Sequence, residues 1–286
     1  MPKLALTALI VAALCVGSIV GYLAVGPGIF TITVPIGVGL IMLLQLESAA
    51  RIQAGSAATR ARVAGARAET ESAYRQLEAL VSVFSMIDVR APLPPMRGWA
   101  ISPDFARTML SVLATRRPRV VLEAGSGVST LIAAYGAERL GLDCRIHSLD
   151  HDAHFVEFTK VALAEHGLTH AATIVHAPLV PIDINGEEWK WYDRHALQAL
   201  EKIDLVVIDG PPAGDGAPLA RYPALPVLCP RLSKDAVVLV DDGARRGEQA
   251  VVKRWQQEFP EIQVKVVDNE KGAFLIRVNG ASPAWA

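Results

Sequence analysis

Five carboxylates in the central and C-terminal part of the chain sit where chemistry needs them. Glu123 stands two residues before a glycine turn, Gly125-Ser126-Gly127; Asp150 lies 25 residues beyond Gly125; Asp209, Asp241 and Asp242 each close a short apolar run. Two glycines let a backbone turn tightly and approach a ligand, and a helix starting after them offers free N–H groups to an anion. The runs ending in Asp209-Gly210-Pro211-Pro212 and Asp241-Asp242-Gly243, if they are adjacent parallel strands, set three carboxylates side by side. Such a group repels itself unless a cation, a proton or an arginine compensates. A hard divalent ion with oxygen ligands is the natural candidate, held by Asp209, Asp241 and Asp242. It would lower the pKa of a bound hydroxyl.

The elements that must position these residues follow from hydrophobic periodicity. Ser102-Pro103-Asp104 reads as a helix start, with Ser as N-cap and Phe105, Met109, Val112 and Leu113 as its buried stripe. Short apolar runs follow at 120–124, 145–149, 173–176, 205–208 and 237–240. Helical patterns lie between them, marked by Leu131, Ile132 and Tyr135, by Phe155, Phe158 and Ala162, and by Val251, Val252, Trp255 and Phe259. Strand alternating with helix predicts a parallel sheet covered on both faces. The last two runs, 262–267 and 273–278, flank Asp268-Asn269-Glu270-Lys271-Gly272 with no room for a crossover helix, so they form a hairpin. The expected fold is α/β: a doubly wound, Rossmann-like, seven-stranded sheet with an antiparallel last strand. In such sheets ligands bind beyond the carboxyl ends of the strands, where the five carboxylates fall.

A dinucleotide-binding loop carries a third glycine where this chain has Thr130. The stretch Glu123-Ala124-Gly125-Ser126-Gly127-Val128-Ser129 instead resembles motif I of class I S-adenosylmethionine-dependent methyltransferases, and the closing hairpin resembles their final strand. The resemblance implies a methionine carboxylate at the loop, with Glu123, Gly125, Gly127 and Ser129 as contacts. Asp150 is then the acid that accepts from ribose hydroxyls, Ala177 and Pro178 pass the adenine ring, and Asp209 is a further cofactor contact. An acidic strand end suits a cationic sulfonium and ammonium. Over residues 98–278 the chain is similar to the bacterial O-methyltransferase-like group, which includes the metal-dependent catechol and macrolide-sugar enzymes. That implies Asp209, Asp241 and Asp242 as magnesium ligands and Asp209 as catalytic. The sugar enzymes carry a second Asp two residues after the first, and this chain has Pro211. The general base therefore stays open, as does the alternative that Asp209 and Asp242 merely orient loops.

Other candidates weigh less. The Asp150-His151-Asp152 and His154 cluster reads better as a polar helix start than as a metal site. Trp189, Trp191 and Tyr192 fall in the insertion between the third and fourth strands, as a wall over substrate or a packed loop. Arg221-Tyr222-Pro223, after the stretch Ala213 to Gly216, is placed to cover the acceptor. Arg116, Arg117 and Arg119 read as a solvated edge or a contact for lipid headgroups.

The N-terminus accounts for a hydrophobic content of 51% and a mean hydropathy of +0.31. Residues 4–25 and 29–46 carry no charge and are separated by Gly26-Pro27-Gly28, which predicts a transmembrane hairpin. Lys3 precedes it, and Arg51, Arg60, Arg62 and Arg67 follow it, so both ends face the cytoplasm. A cleaved signal sequence is the competing reading, disfavoured by the length of the apolar run. The division is then 1–46 for the hairpin, 47–97 for a helical stalk and Pro-rich linker, and 98–286 for the catalytic domain. A stalk face of Tyr74, Leu77, Leu80, Val81, Phe84 and Ile87 docks on that domain or pairs with a second copy as a homodimer. The net charge of −1 argues against nucleic acid as a partner, and Cys15, Cys144 and Cys229 make neither a disulfide framework nor a zinc site.

The expectation is a multi-pass protein of the inner (cytoplasmic) membrane with a cytoplasmic methyltransferase domain, using S-adenosylmethionine on a hydroxyl of a small-molecule, sugar or lipid-linked acceptor. Two other readings stand beside it: a non-catalytic adenosylmethionine-binding module, and a nucleotide-dependent oxidoreductase.

Overall fold

A computed structural model describes residues 2–26, 30–198, 200, 202–214 and 217–279. The chain forms two compact units, Met1–Thr70 and Glu71–Ala286.

The first unit is helical. Helix α1 spans Pro2–Val25 and helix α2 begins at Phe30 and ends at Met86. The predicted Pro27-Gly28 turn and Ile29 lie outside the described residues. Within α2 the stretch from Ile36 contains a window long and apolar enough to cross a membrane, with none of it buried, while Ala12–Val25 is a shorter apolar helix. Leu23, Val25, Leu43 and Leu46 are exposed along these helices. Residues 47–70 are helical throughout: their alanines and arginines are strong helix formers, and two isolated glycines at about 1 kcal/mol each do not outweigh them.

The end of α2 belongs to the second unit. Of the predicted apolar face, Ile87 is buried, whereas Tyr74, Leu77, Val81 and Phe84 are exposed, and the docked stripe is Gln76, Ala79 and Val83. A polar residue sets this rotation. The Gln76 amide donates to Asp104 Oδ2 at 2.7 Å, and its carbonyl accepts from the Asp104 amide at 3.2 Å. That bond locks α2 onto the start of helix α3 (Pro103–Arg116). Pro103 opens α3 as expected, but the Ser102 hydroxyl donates to the Asp104 carboxylate and makes no side-chain cap of its own.

Beyond α3 come β1 (Val120–Ala124), α4 (Val128–Arg139), β2 (Arg145–Asp150), α5 (Ala153–Glu165) and β3 (Ala172–His176). A two-stranded hairpin follows, β4 (Leu179–Ile184) and β5 (Glu187–Tyr192), and then β6 (Ile203–Ile208), α6 (Ala224–Leu228), β7 (Leu232–Val240), α7 (Arg246–Glu258), β8 (Gln263–Val267) and β9 (Ala273–Arg277). The main sheet has seven strands in the order β3-β2-β1-β6-β7-β9-β8, parallel except that β9 runs antiparallel to both neighbours. The strand order reverses between β1 and β6, so the switch point lies at their carboxyl ends.

Alternate residues of each strand feed two separate cores. Val121, Leu205, Val207, Val237 and Leu239 pack with Phe105, Leu110, Leu131 and Tyr135 of α3 and α4. Leu122, Val206, Ile208, Val238 and Val240 pack on the other face with Trp255, Tyr222, Trp191 and Tyr192. Both faces are covered, as the near-continuous apolar runs required.

Two readings are corrected. Phe155 and Phe158 are 52% and 48% exposed, and α5 instead buries Val156, Thr159, Ala162 and Leu163. The helix starts at Ala153 because Asp152 caps it, its carboxylate accepting from the His154 amide at 2.8 Å. This start turns the phenylalanines outward. The insertion holding Trp189, Trp191 and Tyr192 is the β4–β5 hairpin, turned by Asn185-Gly186 with φ of 53° and 81°. An Asn-Gly pair between alternating apolar residues is the signal that could have revealed it.

Candidate functional site at the switch point

The loop after β1 is held to the ends of two neighbouring strands. The Gly125 amide donates to the Leu149 carbonyl at 2.9 Å, and the Asp209 amide donates to the Ala124 carbonyl at 3.0 Å. Gly125 has φ +106°, in the region that favours glycine, and a Cβ there would lie 3.4 Å from the Gly210 nitrogen. The turn is therefore glycine-dependent through its backbone conformation more than through crowding. Gly125, Ser126 and Gly127 are half-buried at the rim, and Thr130 caps the following helix by accepting from the Gly127 amide at 3.3 Å.

Asp150 and Glu123 support that loop from below. The Ser126 amide and hydroxyl both donate to Asp150 Oδ2, and the Asp152 amide donates to Oδ1 at 3.1 Å. Glu123 is 1% exposed. Its Oε2 accepts from Ser148 at 2.6 Å and from Thr130, while among the described residues Oε1 has no hydrogen-bond partner. Burial raises the Glu123 pKa, opposed by the hydroxyls of Ser129, Ser148 and Thr130. Thr130, read as a missing glycine, is thus a ligand of the motif's acid.

The predicted residues converge on one rim, but not all of them line it. Ser129 is buried and turned to Glu123, and Ala177 is fully buried with its amide donating to the Asp150 carbonyl at 2.8 Å; Pro178 is exposed. Open contact with a ligand therefore falls to the half-buried loop and to Pro178, while Glu123, Ser129 and Ala177 act from inside.

The structure also gathers the three aspartates. Oxygens of Asp209, Asp241 and Asp242 lie within 4.8 Å of one another. At an effective dielectric near 20, two unit charges at that spacing repel by about 3–4 kcal/mol, so the group demands compensation. Arg221, 3% exposed, provides it from within. Its Nη2 donates to Asp242 Oδ2 at 2.9 Å and to the Asp209 carbonyl at 2.8 Å, and lies 3.6 Å from Asp209 Oδ1; its Nη1 donates to the Asp241 carbonyl at 3.0 Å. Glu248 is 3.7 Å from its Nε. Arg245 pairs with Asp242 at 2.9 Å, and Lys271 Nζ stands 3.9 Å from Asp241 and 4.0 Å from Asp242. Among the described residues both Asp241 side-chain oxygens lack a hydrogen bond. Burial, reinforced by the Asp242 charge, pushes the Asp241 pKa up to about 6; burial likewise raises Asp209, with Asp241 adding and Arg221 opposing.

Arg221 was read as a cover for the acceptor, and the structure places it under the site instead. The clue available was its company: a lone arginine in the stretch Leu219 to Leu228, where every other residue is apolar or Tyr222, has to reach an acid. Trp189 packs against Tyr222 at 4.4 Å between ring centroids, the rings tilted by 43°, with Arg254 over Tyr222 at 4.0 Å. Trp191 and Tyr192 are core residues, so of the three aromatics only Trp189 is not fully buried. The His151 and His154 cluster is a helix start, and Arg116 and Arg117 donate to the Asp235 and Leu140 carbonyls, beside the start of β1 and away from the site.

Residues 122–243 match a family described as a methyltransferase domain. Among solved structures, the SAH-bound Podospora anserina methyltransferase PaMTH1 is similar at 19% identity and a TM-score of 0.54, over 74% of this chain and 95% of that one. An O-methyltransferase from Bacillus cereus in complex with SAH is 15% identical with a TM-score of 0.48, over 71% of this chain and 90% of that one. Among curated proteins none matches.

Proposed function

From the match of residues 122–243 to a family of methyltransferase domains, we propose that the chain is a membrane-anchored, S-adenosylmethionine-dependent O-methyltransferase. The observation that carries this reading is the glycine turn at the switch point, bound at once to the ends of β2 and β6 and backed by two acids. A dinucleotide-dependent oxidoreductase would need a close backbone approach where Thr130 stands.

Bound there, adenosylmethionine supplies a methyl group on a sulfonium; the S–C bond electrons stay on sulfur as the O–C bond forms. The start of α4 presents its first-turn amides to the cofactor's carboxylate, the three loop amides being taken by Leu149, Asp150 and Thr130. Glu123 stands beneath the cationic end, its Oε1 without a hydrogen-bond partner among the described residues. Asp150 accepts three hydrogen bonds from Ser126 and Asp152, of the roughly four a carboxylate offers. One site is left for a ribose hydroxyl. Asp209 is the most open of the three aspartates, its side chain 15% exposed. It takes the proton from the acceptor hydroxyl, in the position where Pro211 removes the alternative base.

The acceptor class is a hydroxylated small molecule, sugar or lipid-linked compound at the cytoplasmic membrane face. The apolar exposure along α1 and the start of α2 supports anchoring, with both ends on the cytoplasmic side. The exposed Tyr74, Leu77, Val81 and Phe84 follow 3-4-3 spacing, which supports pairing with a second copy.

Calorimetric titration of the detergent-solubilised chain with adenosylmethionine, followed by transfer of labelled methyl to membrane and soluble extract fractions, tests the proposal. Binding with transfer to an oxygen supports it. Binding without transfer to any fraction would identify a non-catalytic module instead, and co-purified NAD would replace the reading with an oxidoreductase.

A further inference from the structure

The aspartates that suggested a magnesium site meet an obstacle in the same structure. A divalent ion between Asp209 and Asp242 needs the space held by Arg221 Nη2, which bonds Asp242 Oδ2 at 2.9 Å and the Asp209 carbonyl at 2.8 Å. Magnesium also keeps several waters in an octahedron, yet Asp241 is 0% and Asp242 3% exposed. Three cationic side chains, Arg221, Arg245 and Lys271, already face the three aspartates and Glu248. The donor set does not fit a hydrated magnesium ion.

We propose that Arg221 is the resident cation of this site: its guanidinium replaces a divalent metal, joins the ends of β6 and β7, and holds Asp209 toward the acceptor. The inference rests on the methyltransferase reading for its catalytic consequence but on geometry for its substance. A planar guanidinium presents donors in a fixed fork, and here the fork takes one carbonyl from each strand end, Asp209 and Asp241, and one carboxylate, Asp242. A spherical ion would order carboxylates and waters; this fork orders backbone as well. Arg221 is thus a positioning residue, acting on the acceptor through Asp209. Methyl transfer then proceeds with no metal cofactor, the acceptor proton passing to Asp209 as the O–C bond forms and the S–C bond breaks.

The test uses the full chain in detergent and measures metal binding directly. Mg2+ titrated to millimolar levels, and Mn2+ followed by electron paramagnetic resonance, are expected to give no saturable binding and no change in melting temperature for the wild type. Saturable binding that disappears in Asp242→Asn would overturn the proposal. Arg221→Gln leaves the acids with only Arg245 and Lys271. It is expected to melt lower by on the order of 10 °C and to gain Mn2+ binding with partial recovery of that loss. If it melts like the wild type and gains nothing, the proposal also falls. Arg221→Lys keeps the charge without the fork; it is expected to fold, to bind no metal, and to lower kcat at least tenfold with little change in the affinity for adenosylmethionine. A wild-type kcat in that variant would sink the positioning role. Adenosylmethionine binding measured on the same samples separates the two readings, because its absence would defeat the methyltransferase assignment while leaving the metal result standing.

Discussion

The backbone amide and the hydroxyl of Ser126 donate to the same oxygen of Asp150, at 3.1 and 2.8 Å. The residue between the two loop glycines is therefore fastened to the next strand by a two-point contact, and the glycine loop and the acid after it form one unit.

If that contact organises the loop, its removal weakens the cofactor before it weakens the fold. Hydrogen bonds to a charged acceptor contribute about 1.5–3 kcal/mol. Asp150→Ala should raise the Kd for adenosylmethionine by about 10- to 100-fold, and Ser126→Ala, which keeps the amide bond, by less than about 10-fold. Titration calorimetry reads both; a Ser126 variant worse than the Asp150 variant would contradict this order.

Gly125 and Gly210 touch each other but are constrained differently. Gly125→Ala is strained by its φ of +106°, at about 1–3 kcal/mol, whatever the neighbours do. Gly210→Ala puts a Cβ 2.5 Å from the Tyr192 hydroxyl and 3.2 Å from the Ala124 carbonyl, which costs about 1–3 kcal/mol as overpacking. Adding Tyr192→Phe should recover part of the second loss and none of the first in chemical denaturation. Equal recovery in both would show that crowding, not backbone conformation, governs Gly125.

Glu123 makes stability depend on pH in a definite direction. Its folded pKa is raised by burial, so the folded state binds the proton more tightly than the unfolded chain. Its contribution is full below the ordinary carboxylate range and is lost as pH climbs through that range to the raised folded value. Glu123→Gln lacks this loss, so the melting temperature of the variant relative to wild type should rise as pH climbs above the ordinary carboxylate range, while cofactor affinity falls. A difference that stays constant over that climb would show that Glu123 is not protonated preferentially in the fold.

Anchoring is checked by extraction. The full chain should stay with membranes through alkaline carbonate, and a variant lacking residues 1–46 should not. Protease added to sealed inside-out vesicles should digest the catalytic domain; protection there would reverse the topology.

The alternation of apolar runs and helical patterns was legible because a sheet buried on both faces leaves each strand a continuous apolar word, and a closing hairpin leaves no room for a helix. The order of acids at strand ends was legible for the same reason: a parallel sheet delivers every carboxyl end to one rim. What the residues alone did not carry was direction. Whether Glu123, Ser129 and Ala177 face a ligand or the interior depends on which neighbours supply donors, and Thr130 and Ser148 come from elements 7 and 25 residues away. The rotation of α2 turned on one bond between Gln76 and Asp104, 28 residues apart. Above all, three aspartates in sequence announce a need for positive charge without saying what meets it. Only the packing of the Arg221 segment beneath two strand ends made that cation a guanidinium.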